Sequence, residues 1–354
     1  MVKPGLFFFL LFQLFAVHLT SAQDNFVGES QLEPTALLFQ DQDPISLRLV
    51  FSTKNLKKNT NDSTYIKSIL FIQNRNSSWD SLKIKLRARG NFRRQNCYFV
   101  PLKVKLKKAV TRGTLFEGTS KLKLVLPCLL VKNNDDLVLK EYMAYKLFEL
   151  ISPYHFKTRL ANIEFSEEKG TRIRKHNIKA FLIEDLDDVA ERHNGRAMTR
   201  RVHPLYQDDL SSLQNSFFQY LIGNTDFSTR GAHNQKLLYV DKKYVSIPYD
   251  FDMSGLVNAS YATVSGMENM KVTISKVTER VYKGYKRDID LMQAVRKEYL
   301  TSKEGIFKVM DDLNQYFQNP GKYEQAKEFV IDFFKIMEDD KQFKKHILDR
   351  ARSR

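Results

Sequence analysis

Between residues 226 and 252 the chain gathers the side chains best suited to chemistry. Asp226, His233 and Asn234 lie in a polar loop, and Asp250 and Asp252 follow two short apolar runs, 236–240 and 244–247, joined by Asp241-Lys242-Lys243. Two such runs around a polar turn predict a β-hairpin, which can deliver both of its ends to one place. Carboxylates and an amide oxygen at that place suit Mg²⁺, a hard cation that takes oxygen ligands and keeps waters or phosphates as the rest of its shell. The same residues also fit a turn cap at Asp226 and solvated loop acids at Asp250 and Asp252. Because hard cations prefer oxygen, His233 is expected to be a loop histidine hydrogen-bonded to backbone.

Other chemistries are weaker. There is no Gly-x-Ser-x-Gly element for an acyl-transfer hydrolase, and His155, His176, His193 and His203 show no zinc spacing with the cysteines. Arg87, Arg89, Arg93 and Arg94 cluster near Phe92, Tyr98 and Phe99. Such a cluster suits a phosphate or a nucleic-acid strand, and equally a charged sheet edge that discourages aggregation.

The elements that must position these groups follow from periodicity. From residue 44 to about 131 the pattern has period two, as in Leu82-Lys83-Ile84-Lys85-Leu86, Leu102-Lys103-Val104-Lys105-Leu106 and Leu122-Lys123-Leu124. This predicts an antiparallel sheet with apolar residues on one face and Lys or Arg on the other. Leu139, Met143, Leu147 and Leu150 then take helical spacing within 136–151. Residues 159–165 and 178–183 read as further strands, and an acidic segment opens at Glu184. Beyond residue 209 the chain is mainly helical, with the loop and hairpin interrupting it and Asn319-Pro320-Gly321 breaking the last part. The expected organisation is a β-rich lobe with one helix over 44–183 and a mainly helical lobe over 184–354. That is a two-lobed α+β plan.

Length and composition permit an enzyme. The chain has 354 residues, 42% apolar and 28% charged, which excludes wholesale disorder and a multi-spanning membrane protein. Lys+Arg 57 against Asp+Glu 41 gives a net charge of +16, which draws polyanions without choosing among them. Lys3, an apolar run over 6–17 and the small residues Thr20-Ser21-Ala22 read as a secretory signal cleaved after Ala22, followed by a linker over 23–43. The mature chain is therefore expected to be secreted, periplasmic or on the cell surface, without an integral membrane segment. In an oxidising compartment Cys97 and Cys128 are candidates for one disulfide closing a loop worth about 3 to 4 kcal/mol, with two independent buried thiols as the alternative.

Protein kinases place their groups in the order met here: a catalytic-loop Asp, an Asn for metal, a short hairpin, then Asp-Phe with a metal-binding Asp. Several motifs resemble, in order, those of the spore-coat protein H (CotH) kinase-like family. They are Arg89-Gly90-Asn91, Pro101-Leu102-Lys103-Val104-Lys105-Leu106, the lysine-rich strand at 121–126, the helix at 139–150, Ile183-Glu184, Gly223-Asn224-Thr225-Asp226 and Tyr249-Asp250-Phe251-Asp252. The resemblance spans residues 82–258. It implies a two-lobed atypical protein-kinase-like fold and ATP-dependent phosphoryl transfer to a protein substrate. By the same resemblance Asp226 is the catalytic base, Asn234 and Asp250 with Asp252 hold Mg²⁺ or Mn²⁺, and Lys103 or Lys105 contacts phosphate. Arg89, Glu141 and Glu184 join the nucleotide site, with Glu141 expected to pair with that lysine.

The chain departs from the family pattern where Phe92-Arg93-Arg94 follow the Arg-Gly-Asn element and where Tyr249 replaces a Trp. It also lacks a Gly-x-Gly-x-x-Gly loop. Two other functions remain open from sequence: a nucleotide-binding pseudokinase, and a non-catalytic surface protein binding an anionic polymer through its basic β-rich part.

Overall fold

The period-two segments form strands, and those strands curl until the first meets the last. The computed structural model describes Met1 and residues 36–131, 134–264 and 274–353. Apart from Met1, the expected signal segment 1–22 lies outside the described residues, as does most of the expected linker. At the end of that linker, Leu37–Phe39 make a short 3₁₀ turn that buries Leu38 and Phe39.

In chain order the elements are β1 (Ile45–Phe51), α1 (Thr53–Asn59), β2 (Ile66–Gln73), β3 (Trp79–Ala88), α2 (Asn91–Asn96), β4 (Leu102–Leu106), α3 (Lys108–Thr111) and β5 (Lys121–Val125). They continue with α4 (Asp135–Phe148), β6 (Thr158–Lys169), β7 (Arg172–Glu184), α5 (Leu186–Arg192), β8 (Arg196–Met198) and α6 (Asp209–Leu221). The hairpin β9 (Gln235–Val240) and β10 (Lys243–Pro248) follows, then α7 (Ile289–Thr301), α8 (Lys303–Asn314), α9 (Pro320–Glu338) and α10 (Asp340–His346).

The strands close as β1-β2-β3-β4-β5-β7-β6, antiparallel throughout except where β1 runs parallel to β6 and seals the barrel. This corrects the expectation of a two-lobed kinase-like fold: the chain forms a closed seven-strand mixed barrel with helices, and the described residues from Ala36 on make one compact unit. The physical reason is the long β6–β7 hairpin, which pairs with β5 on one side and β1 on the other. Alternation along a strand states which face is buried. It does not state whether the first and last strands meet.

Leu49, Leu70, Ile84, Val104, Leu124 and Leu182 point into the barrel and fill it. Each fully buried Leu contributes roughly 1.5–3 kcal/mol of burial free energy. On β5 and β7 the opposite face is covered as well: Val125, Phe181 and Ile183 pack against Tyr142, Tyr145 and Phe148 of α4, and this second core continues into α6 to α10. A lysine on that covered face of β5 is consequently forced inside. No described helix is long and apolar enough to cross a membrane.

Candidate functional site

The loop after α6 begins with a residue that must leave the helix. Gly223 takes φ +62°, and a Cβ there would come within 2.8 Å of the Phe329 ring, so only glycine fits without displacement. Residues beyond Asp252 return to this point, where Gly255 N–H donates to the Gly223 carbonyl at 3.1 Å and Leu256 N–H to that of Ile222 at 3.0 Å. The two polar segments of the sequence thus lie side by side. Asn224 Oδ1 accepts from Asp226 N–H at 3.1 Å and turns the loop.

Asp226 Oδ2 accepts from Asn234 Nδ2 at 3.0 Å and lies 3.1 Å from His233 Nε2. The His233 ring therefore meets a carboxylate rather than backbone, because paired backbone bonds between Ser228 and His233 fold the loop back on itself. The hydrogen bond to Asp226 raises the His233 pKa above its usual value. Tyr249 N–H donates to the Asn234 carbonyl at 3.1 Å and closes the base of the β9–β10 hairpin, as the sequence spacing anticipates.

From there the Tyr-Asp-Phe-Asp segment is pinned to α4. Asp250 sits in the left-handed region at φ +66°, and its N–H donates to Tyr145 Oη at 3.1 Å. Phe251 is fully buried, with its ring 4.4 Å from that of Tyr145 and 5.4 Å from that of Phe218. Asp226, Asn234 and Asp250 remain half-buried, while Asp252 points inward. Its Oδ2 is buried without a hydrogen-bond partner and lies 3.6 Å from Arg93 Nε. The charges of Asp250 and Asp226 both act on it.

The cations come from the barrel. Arg93 on α2 reaches Glu141 on α4 at 3.3 Å and donates to the Leu126 carbonyl at 2.9 Å. Arg89, just past β3, donates to the Tyr249 hydroxyl. Lys123, on the covered face of β5, places its ammonium 4.3 Å from the Tyr249 ring centre and 4.6 Å from that of Phe156. Burial, with repulsion from Arg89, pulls its pKa down to about 7. Lys236 of β9 places its ammonium 5.1 Å from the Tyr249 ring centre. Lys103 Nζ is 3.1 Å from Asp185 Oδ2.

Of the residues named from sequence, Asp226, Asn234, Asp250, Asp252, Glu141 and Arg89 meet in this one region. Lys105 does not: it lies on the barrel exterior, 4.4 Å from the Tyr65 ring centre. Glu184 is tied to Arg192 of α5 at 3.0 Å and to Lys157 N–H at 2.9 Å, so it holds the β7–α5 junction. Glu141 pairs with Arg93 and not with a strand lysine. Cys97 and Cys128 form the disulfide, joining the end of α2 to the segment after β5. Sequence reasoning missed Lys123, Asp185, Tyr145 and Tyr261, the last of which acts on the Asp252 carboxyl.

As a cation site the region supplies oxygen donors only in part. Among the described residues no three His, Cys, Asp or Glu side chains are assembled around one metal position. Asp250 and the Asn234 amide offer oxygen donors of the kind a hard cation takes, which leaves water and phosphate to supply its other ligands. Asp252 is already held by the charge of Arg93. Comparison with protein-family models and with curated proteins finds no match.

Proposed function

We propose that the chain transfers a phosphoryl group from ATP, held with Mg²⁺ or Mn²⁺, to a hydroxyl of a protein substrate, and that it does so outside the cytoplasm. One observation carries the reading. Asp226, Asn234 and Asp250 gather within a few residues of the hairpin base, beside Arg89 and Lys123, so oxygen donors and cations share one half-buried region. Phosphoryl transfer asks for that combination, since its catalysis consists mainly of positioning and charge neutralisation. The motif resemblance to the CotH kinase-like proteins supports the same chemistry, independently of the fold.

In this reading Asp226 accepts the proton of the acceptor hydroxyl, oriented by the Asn234 amide and the His233 ring. Asp250 and the Asn234 oxygen hold the divalent ion, which when bound neutralises phosphate charge. Arg89 and Lys123 face the remaining phosphate oxygens. Arg93 fixes Asp252 and Glu141, and through them the register of α4 against the Asp250 segment.

The test is intact-mass spectrometry of the protein after incubation with ATP and Mg²⁺ or Mn²⁺, alone and with a serine-rich acceptor, beside Asp250→Asn. The expected result is a metal-dependent gain of phosphate that disappears in the variant. Equal gain in the variant, or no gain together with no metal-dependent thermal shift by ATP, would overturn the proposal.

A further inference from the structure

Strand register stacks lysines across the outside of the barrel. Lys67 on β2 stands opposite Lys85 on β3, Lys85 opposite Lys105 on β4, and Lys105 opposite Lys121 on β5. One step along the same strands, Arg87, Lys103 and Lys123 make a second row, which ends beside Tyr249 in the site described above. Like charges directly opposite one another on a sheet are destabilising. The second row has neutralising partners: Arg87 meets Asp62 at 2.8 Å and Lys103 meets Asp185 at 3.1 Å. In the first row Lys121 meets Asp187 at 2.8 Å, but Lys67, Lys85 and Lys105, like Lys83 beside them, have no carboxylate partner among the described residues.

Protection of a sheet edge does not account for them. β2, β3 and β4 are interior members of a closed barrel, each paired on both sides, and expose no edge. The lysines instead line a groove of about 650 Å³ whose wall also includes Ile69, exposed at 43%, and Val110. Along β3 the charges recur at every second residue, a repeat of about 6.6 Å. An extended polypeptide presents the side chains of one face at that same repeat. The charges here are lysine ammoniums, which act as point charges without the bidentate fork that favours phosphate. The aromatic ring beside them, Tyr65, is already covered by Lys105 and Arg87, so bases find no open stacking platform there.

We propose that this face of the barrel docks an extended acidic polypeptide running along β3, its alternate carboxylates set against Lys83 and Lys85, with Lys67 and Lys105 flanking that line from the neighbouring strands. Docking there stands apart from the phosphoryl-transfer reading and is measured without nucleotide.

The experiment is fluorescence anisotropy of the full chain with a fluorescein-labelled peptide of alternating Glu and Thr. A second labelled peptide carries the same residues as one Glu block and one Thr block, and heparin oligosaccharide and oligothymidylate of matched charge serve as competitors. The alternating peptide is expected to bind about 5-fold more tightly than the block peptide. Lys67→Glu/Lys85→Glu/Lys105→Glu is expected to weaken it roughly 100-fold. The control Lys297→Glu/Lys341→Glu/Lys345→Glu, with the same change of net charge on α7 and α10, is expected to stay within about 3-fold. Lys→Gln versions of the three barrel changes, with thermal melts matching the parent, separate lost binding from lost folding. Equal binding of the two peptides, equal loss in both triple variants, or tighter binding of heparin or oligothymidylate than of the alternating peptide overturns the proposal.

Discussion

The guanidinium of Arg93 lies 3.3 Å from the carboxylate of Glu141, with both side chains inside the protein. The same guanidinium is 3.6 Å from Asp252, so one buried cation serves two buried carboxyls. Burial opposes the charge on Arg93, but Asp252 and Glu141 more than offset it and raise its pKa. Burial raises the pKa of both Glu141 and Asp252, against the lowering charge of Arg93 and with the help of the neighbouring acids.

Removing the cation is expected to cost far more than removing one acid. Arg93→Met leaves both carboxyls buried and unpaired, a loss of about 3–5 kcal/mol in denaturant unfolding. Glu141→Gln keeps a hydrogen-bonding group and is expected to cost about 1 kcal/mol or less at acidic pH. The sign with pH is set by proton binding: above the unfolded value of 4.5 and below its raised folded value, the folded protein holds a proton on Glu141 that the unfolded chain has lost. Glu141 therefore makes stability fall as pH rises through that window, and the variant removes that fall. Parallel pH slopes for parent and variant would refute the assignment.

Lys123 has the opposite sign. Its pKa of about 7 lies below the ordinary lysine value of 10.5, so between those limits the unfolded chain binds a proton that the folded one does not. Its contribution to stability rises with pH across that window and is lowest at and below about pH 7, where a charged ammonium must stay buried. Lys123→Met is expected to raise stability by about 1–2 kcal/mol below pH 7, with the gain fading above it. Urea melts of both proteins over that range check the slope. A variant less stable than the parent at acidic pH would mean that the Tyr249 and Phe156 rings more than compensate the burial.

The Cys97–Cys128 bond closes a segment of sequence separation 31 and sits at the end of the helix that carries Arg93. Replacing both cysteines by Ala is expected to lower stability by about 3–4 kcal/mol through the entropy returned to the unfolded chain. Tyr98 N–H also donates to the Cys128 carbonyl at 2.7 Å, so the two segments keep one tie without the sulfurs. Hydrogen exchange of the Arg93 to Cys97 amides is expected to speed up in the double variant. Unchanged exchange there would separate the disulfide from the positioning of Arg93.

Local pattern made the parts of this protein legible and left their closure hidden. Leu82, Ile84 and Leu86, or Leu102, Val104 and Leu106, mark strands because alternate residues face the barrel interior. Leu139, Met143 and Leu147 mark α4 because they share a buried helix face. The hairpin between Asn234 and Tyr249 was readable from its turn, and with it the meeting of Asp226, Asn234 and Asp250. Barrel closure was not, because the outer half of the β6–β7 hairpin exposes Lys169, Arg172 and Arg174 and carries little apolar alternation. Lys123 looks like Lys103 and Lys105 in sequence, yet the Tyr249 and Phe156 rings lie against it and bury it. The partner of Glu141 was hidden for a similar reason: Gly90, at φ +77°, turns the chain into α2 and sets Arg93 against α4.

His233 and Asp226 give the proposed reaction a pH signature. His233 Nε2 lies 3.1 Å from the carboxylate oxygen that also accepts from Asn234, and this contact raises the pKa of the imidazole above 6.5. Below that pKa a charged imidazolium holds Asp226 and lowers its basicity. Above it the imidazole is neutral, and Asp226 becomes a better acceptor for the hydroxyl proton. Phosphoryl transfer is therefore expected to rise with pH through the His233 titration, while His233→Gln flattens that limb and retains activity at high pH. Asp226→Asn is expected to lower the rate by about 10²–10⁴-fold at every pH, since it removes the proton acceptor itself. Single-turnover rates measured across neutral pH distinguish the roles, because a merely structural histidine would change the rate by a constant factor and leave the profile's shape untouched.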